Sequence, residues 1–264
     1  MVGKDLCDSM REFFGAKQFL KEIKSTLVFP KKIGADSPDQ FRPISLCNSF
    51  YKIISKVLTS RFLLVLPSLI SDQQNGFIPG RQILNSIIAA HENIHSLSCS
   101  NNQGFIMKID IAKANDKVEW AFLAKILQAF GFDHKIVGAI YQLISTSSIF
   151  VLVNGSSSHF FNPSRGLRQG DPLSPILFVI MADCLGRYIR DLVQKGVIKG
   201  LQPSSHPLTC SHSQFVDDTI FMGKSKVNEA RNLNQALNLY SSTSGQLVNW
   251  NKSVVFFINT LIPR

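Results

Sequence analysis

Hydrophobic and polar positions divide the chain into segments of two periods. Residues 1–25 read as helix, with Phe13, Phe14, Phe19 and Leu20 on the apolar side. A short extended run, Ser25–Pro30, and a basic loop, Lys31–Asp39, follow. Residues 43–70 return to helical spacing through Ile44, Phe50, Ile53, Ile54, Val57, Leu58 and Phe62. The polar stretch Ser71–Arg81 holds two glycines and a proline and breaks the pattern; a helix is predicted over about 83–97. After the polar run Ser98–Gln103 the texture changes. Phe105–Ile111 has strand length, and 117–130 is helical through Leu123, Ile126, Leu127 and Phe130. A hairpin is predicted from Ile149–Val153, Asn154-Gly155 and His159–Phe161, since Asn-Gly suits a tight turn. A long helix over 172–193, a second hairpin at Gln214–Met222, a helix over 226–243 and a last strand, Val254–Ile258, complete the series. The second part thus runs strand, helix, hairpin, helix, hairpin, helix, strand. That order predicts an α+β class, with helices on one face of a small antiparallel sheet.

Composition adds a partner class. The net charge is +10 over 264 residues. It is shared as +4 on residues 1–104 (12 basic, 8 acidic) and +6 on 105–264 (16 basic, 10 acidic), so no tail carries it. A polyanion, nucleic acid first, is the natural partner, with an ordinary basic surface as the alternative. Five scattered cysteines without a CxxC pair argue against a disulfide framework and a zinc site, and suit a reducing compartment. The charged first turn is unlike a signal peptide. The apolar runs fall far short of the roughly 20 residues of a membrane-spanning helix.

Three places can carry chemistry. In Gln214–Phe221, Asp217 and Asp218 sit side by side between apolar residues. Asp-Asp can simply make a turn. Two like charges on a half-buried hairpin also repel, and hard divalent cations relieve that repulsion. Asp110 ends the apolar run Met107–Ile111, where it is either a cap or a third carboxylate. Together the three could hold two Mg2+ ions for phosphoryl transfer. The loop from Arg165 to Pro175 offers Asp171 as a helix cap and Pro172 at the first helical position. It also crowds Arg165, Arg168 and Gln169 where an anion or base pair could sit.

These residues carry a resemblance. The chain resembles the reverse transcriptase domain of non-LTR (LINE-type) retrotransposons, in the form common in plant genomes. The matching stretches run in order: LVFPKK, FRPISLCNSFYKIISKVLTSR, QNGFIPGRQI, MKIDIAKANDKVEW, RGLRQGDPLSPILFVI, FVDDT and SGQLVNWNKS. The resemblance implies a right-hand polymerase fold, with an N-terminal helical extension over 1–25, fingers over 26–104 and palm over 105–264. Part of the fingers would be inserted at about 120–165. It implies an RNA-directed DNA polymerase that joins a nucleotide to a primer 3′-OH with two Mg2+, or Mn2+, on Asp110, Asp217 and Asp218. Lys31 and Arg42 match residues that grip the triphosphate, Gln169 and Gly170 the loop beside the nascent base pair, and Lys252 a lysine near the triphosphate. Implied partners are an RNA template, a DNA primer and deoxynucleoside triphosphates, with no membrane and no obligate protein partner. The implied location is nucleus or cytoplasm, nucleus ahead. Where the family shows an aromatic in KAYD, this chain has Asn115, which puts sugar discrimination in question. The sequence also reads as a fragment or degenerate copy without endonuclease, thumb or RNase H. A nucleic-acid-binding remnant that has lost turnover, and a maturase, therefore stand as alternatives.

Overall fold

A computed structural model describes residues 49–99, 103–146, 159–201 and 210–259, parts of 148–157, and short pieces before residue 49. The predicted helix over 1–25 lies almost wholly outside the described residues; Cys7–Asp8 and Met10–Arg11 are helical. The chain forms two compact units, one of residues 1–64 with 115–178, the other of 65–114 with 179–264.

In the first unit, strands β1 (Phe29–Pro30) and β2 (Phe41–Arg42) pair antiparallel. Helix α1 (Ser49–Leu69) supplies Tyr51, Ile54, Leu58 and Phe62 to the core at helical spacing. Pro67 falls in its last turn. A 3-10 turn, Ala114–Lys117, leads toward α3 (Trp120–Ala129). Next comes α4 (His134–Ser145), which the sequence reading left unassigned. Its signals were present: Asp133 caps it by accepting from the Lys135 N–H at 2.8 Å, and Val137, Ile140, Leu143 and Ile144 are its buried stripe. α3 and α4 meet through Trp120, edge-on to Tyr141, and Phe132 between them stacks on Phe62 of α1, 4.9 Å between ring centres. The expected first hairpin is present. β4 (Leu152–Val153) pairs antiparallel with β5 (Ser156–Ser157), and Ile149 exchanges both backbone bonds with Phe161.

The second unit is built on a four-stranded antiparallel sheet in the order β6 (His212–Phe215), β7 (Asp218–Lys224), β3 (Gly104–Ile109), β8 (Val254–Ile258). β8 has the bounds read from sequence, and β3 stops two residues earlier than expected. Cross-strand partners share a face and neighbours along a strand alternate. One face therefore carries Phe105, Met107, Ile109 and Phe221. It is covered by helices α5 (Ser174–Gln194) and α6 (Val227–Ser244). Gln214 bonds the Ala182 carbonyl at 3.2 Å, and Phe105, Met107, Leu233 and Leu237 line an apolar groove of about 460 Å3. The expectation of helices on one face alone needs correction. Leu97 of α2 (Ile83–Cys99) joins Ile106 and Met222 on the opposite face, because these side chains alternate away from α5 and α6. The Lys108 end of that face is exposed, Phe256 to 61%.

Beneath α5, His212 is buried; burial, then Arg190, pushes its pKa from 6.5 down to about 4. Its proton is bound more readily in the unfolded chain. The neutral imidazole's contribution is thus complete above pH 6.5 and is lost as pH falls from about 6.5 to about 4, a loss of about 3 kcal/mol at 1.36 kcal/mol per pH unit. Thermal unfolding against pH checks this. The slope over that window should largely vanish in His212→Leu, and an unchanged slope would assign it to other groups.

Candidate active site

The ladder between β3 and β7 ends on Ile109 opposite Thr219; one step beyond stand Asp110 and Asp218. Both fall on the same sheet face as Lys108. Phe215 pairs with Asp218, so Val216 and Asp217 are the two central residues of the hairpin turn. Asp217 thus sits in the turn and Asp218 opens β7, both at the strand end that bears Asp110. Val216 has φ 59°, a conformation hairpin turns of this length favour but a β-branched residue rarely adopts.

The electrostatics follow from this placement. Asp217 is exposed at the turn tip, yet its carboxyl is raised above the usual aspartate value. Loss of surrounding water is the largest cause; its own backbone N–H opposes it, Asp218 and Asp110 add repulsion, and Lys108 offsets part of that. Lys108 Nζ lies 3.0 Å from Asp218 Oδ1, with both side chains about half exposed. Among the described residues, no three His, Cys, Asp or Glu side chains are gathered as a finished ion cage. The backbone brings the three aspartates to one end of the sheet, while Lys108 engages Asp218. The donor set still fits a hard cation: oxygen ligands only, on paired strands, with mutual repulsion a cation would relieve.

Lys252 belongs to the same unit. Its N–H donates to the Asn249 carbonyl at 3.1 Å, in a loop stapled to Asp110. Asn249 N–H donates to the Asp110 carbonyl at 2.8 Å, and Asp110 N–H donates to Ser253 Oγ at 3.2 Å. The Lys252 side chain is exposed.

Asn115, Gln169 and Gly170 belong to the other unit and are tied together there. Leu167 N–H donates to the Asn115 carbonyl at 2.7 Å, and Gln169 Nε2 donates to Asp116 Oδ1 at 3.1 Å. Gly166, at φ 95°, lies so close to the Asp116 carbonyl that a Cβ would stand 2.8 Å from its oxygen. Gly170 is exposed, with φ 98°. Arg42 pairs with Phe29 in the β1–β2 ladder, and Lys31 lies outside the described residues.

Arg168 departs from its expected place. It does not face an anion site. Its guanidinium is buried, sits 4.2 Å over the Tyr51 ring and donates to the Leu143 carbonyl at 2.7 Å. Sequence cannot distinguish an arginine that stacks inward from one that binds a ligand. It also gave no role to Gln74, whose side chain is wholly buried against the Val216 backbone. The only signal was its place in the block QNGFIPGRQI.

No helix among the described residues is long and apolar enough to cross a membrane. Residues 29–260 match the family model described as reverse transcriptase (RNA-dependent DNA polymerase). The chain is 27% identical, over 86% of its length, to the transposon TX1 uncharacterized 149 kDa protein of Xenopus laevis. It is 31% identical, over 62% of its length, to the Pol polyprotein from the type-2 retrotransposable element R2DM of Drosophila melanogaster. It spans 17% and 15% of those two proteins. An apo telomerase from Candida tropicalis, truncated from the C-terminal domain, matches with a TM-score of 0.62 at 15% identity, over 89% of this chain and 50% of that one. At that identity the likeness is one of fold, the right-hand polymerase fold. Reverse transcriptases as a family use divalent metal ions. The chain belongs to the reverse transcriptase family, with non-LTR retrotransposon proteins among its relatives.

Proposed function

We propose that this chain is the fingers and palm of an RNA-directed DNA polymerase that extends a DNA primer on an RNA template. The observation that carries the proposal is the meeting of Asp110 with the Asp217–Asp218 turn at one end of the sheet. Asp110, Asp217 and Asp218 would hold two Mg2+, which Mn2+ could replace. When bound, the ions would supply the positive charge that stabilises the attacking and leaving oxygens of phosphoryl transfer. Lys108 would release Asp218 to them; as a half-exposed ion pair this contact is worth at most about 1 kcal/mol and yields readily. The sheet face beside it, with Val254 and Phe256 exposed, would lie under the primer end. Lys252 would stand near the triphosphate, with Lys31 and Arg42 gripping it from the fingers. Gln169 and Gly170 would flank the nascent base pair, Gln169 held in place by Asp116. The division into fingers at 26–104 and palm at 105–264, with part of the fingers at about 120–165, belongs to this proposal.

The test is primer extension on poly(rA)/oligo(dT) with Mg2+, beside Asp217→Asn. Extension by the parent chain alone supports the proposal. Metal-independent extension, or equal extension by both, refutes it. Binding of primer–template without extension would instead favour the remnant that has lost turnover.

Asn115 bears on sugar choice. It is half-buried at the 3-10 turn, smaller than the aromatic of the family pattern. Asn115→Tyr should raise the preference for deoxy over ribo substrates by about 10-fold or more, since the lost space is that of a 2′-OH. Equal incorporation ratios in two active variants would remove Asn115 from that role.

A further inference from the structure

Asp217 sits on a turn whose shape its own residues do not favour. Val216 holds φ 59°, where a β-branched side chain is strained. Besides the turn itself, which calls for positive φ, a contact from outside the hairpin helps hold it there. The loop from Ser71 to Arg81, distant in sequence, supplies it. Gln74 is wholly buried, and its side-chain amide treats Val216 as a strand partner. Its Oε1 accepts from the Val216 N–H at 3.0 Å, and its Nε2 donates to the Val216 carbonyl at 3.3 Å. The same Oε1 accepts from the Gly76 N–H at 3.0 Å, which fixes the rotamer of the glutamine. Backbone bonds run alongside: Gln214 N–H to the Gln73 carbonyl at 2.8 Å, and Asn75 N–H to the Gln214 carbonyl at 3.0 Å. Gly76 completes the fit, since a Cβ there would stand 2.4 Å from Val216 Cγ2.

The loop is itself locked. Arg81 donates to the carbonyls of Ser71 at 2.5 Å, Gln74 at 2.7 Å, Ile70 at 2.9 Å and Pro67 at 3.2 Å. One guanidinium thus gathers the backbone that presents Gln74.

We propose that Gln74 is a positioning residue for the polymerase site. It holds Val216 in the left-handed region and so fixes the Asp217 carboxyl, with Arg81 keeping the loop in place. The inference rests on the reading of Asp217 as a cation ligand. A group that orients a ligand without touching the ion commonly changes metal affinity or activity 10–100-fold when removed.

The test uses this chain, with Mn2+ binding followed by its paramagnetic signal and primer extension measured beside it. Gln74→Met keeps the volume and loses all three hydrogen bonds. Its Mn2+ affinity should fall 10–100-fold and its kcat should fall with it, while the KM for primer–template stays within about twofold. Circular dichroism should report the parent fold. Val216→Gly placed on Gln74→Met should recover part of the Mn2+ affinity, because glycine adopts positive φ at no steric cost. General loss of packing would not be repaired there. Asp217→Asn separates the two levels of the argument. If it leaves Mn2+ binding unchanged, the site itself has been misread. If it abolishes binding while Gln74→Met, folded, binds Mn2+ as the parent does, the positioning role is wrong. Should Gln74→Met fail to fold, Gln74→Glu decides. It keeps both acceptor bonds and should bind Mn2+ better than Gln74→Ala, and the reverse order overturns the proposal.

Discussion

Asp217→Asn is expected to reduce primer extension at least 10^3-fold while leaving the fold intact. The asparagine keeps the size of the side chain at an exposed turn tip, so neither the β6–β7 ladder nor the Gln74 contacts lose a partner. What it removes is one negative oxygen from a set of three carboxylates. A group that stabilises charge in the transition state is worth about 2.7–4 kcal/mol when deleted, or 10^2–10^3 in rate. A cation ligand adds the loss of the ion itself. Stability should move the other way. The raised Asp217 carboxyl marks a repulsion that burial, Asp218 and Asp110 impose on the ionised form. Its folded value lies above its unfolded value, so ionisation weakens the fold as pH rises through this range. Removing the charge should therefore leave the metal-free chain as stable as the parent or slightly more so at neutral pH. The gain stays under about 1 kcal/mol, because the turn tip is open to solvent. Extension assays with thermal unfolding on the same samples check both halves. Activity retained within tenfold would detach Asp217 from the chemistry. Lost activity with a lower midpoint would show damage to the fold instead.

Strand Val254–Ile258 and the two hairpins were legible, because apolar runs bounded by turn residues have one simple solution. Asp110, Asp217 and Asp218 were legible as a group, since each ends or joins such a run. Helix α4 was missed, although Asp133 and the stripe through Val137, Ile140 and Leu143 announce it. It is short, and Gly131 before it and Thr146-Ser147-Ser148 after it are residues common in turns, so little of its period stands out. Other features were beyond reach in principle. The Gln74–Val216 contact spans 142 residues, and no local period encodes it. Whether Lys108 meets Asp218 or solvent depends on the β3–β7 register, which is fixed only when the sheet forms. Arg168 and Arg165 are three residues apart with the same chemistry. One stacks on Tyr51; the other is exposed and lies 3.5 Å from Glu119.

The largest stability effect should come from Asp171, read from sequence only as a helix cap. It does cap: its Oδ1 accepts from the Leu173 N–H at 3.2 Å and its Oδ2 from the Ser174 hydroxyl at 3.1 Å, at the start of α5. It also accepts from the Tyr51 hydroxyl at 2.9 Å and from the Ser55 hydroxyl, both on α1. The residue is 3% exposed, so water cannot replace it for these donors. Asp171→Ala would leave several buried donors without an acceptor, and each such orphan costs about 1–3 kcal/mol. Tyr51 would be hit twice, for its ring carries the Arg168 guanidinium and its hydroxyl would lose its anchor. The serine hydroxyls can turn to other acceptors, which limits the total to about 3–5 kcal/mol. At this chain length that corresponds to a thermal midpoint lower by about 6 °C or more. Tyr51→Phe removes one of the bonds and should cost about 1.5–3 kcal/mol, the value of a hydrogen bond to a charged group. Asp171→Asn keeps one acceptor oxygen and should fall between the two. The ordering of the three midpoints is the measurement. If Asp171→Ala unfolded no earlier than Tyr51→Phe, the carboxylate would be a cap alone. The joint that ties α1 to the start of α5, just past Gln169 and Gly170, would then have to be sought elsewhere.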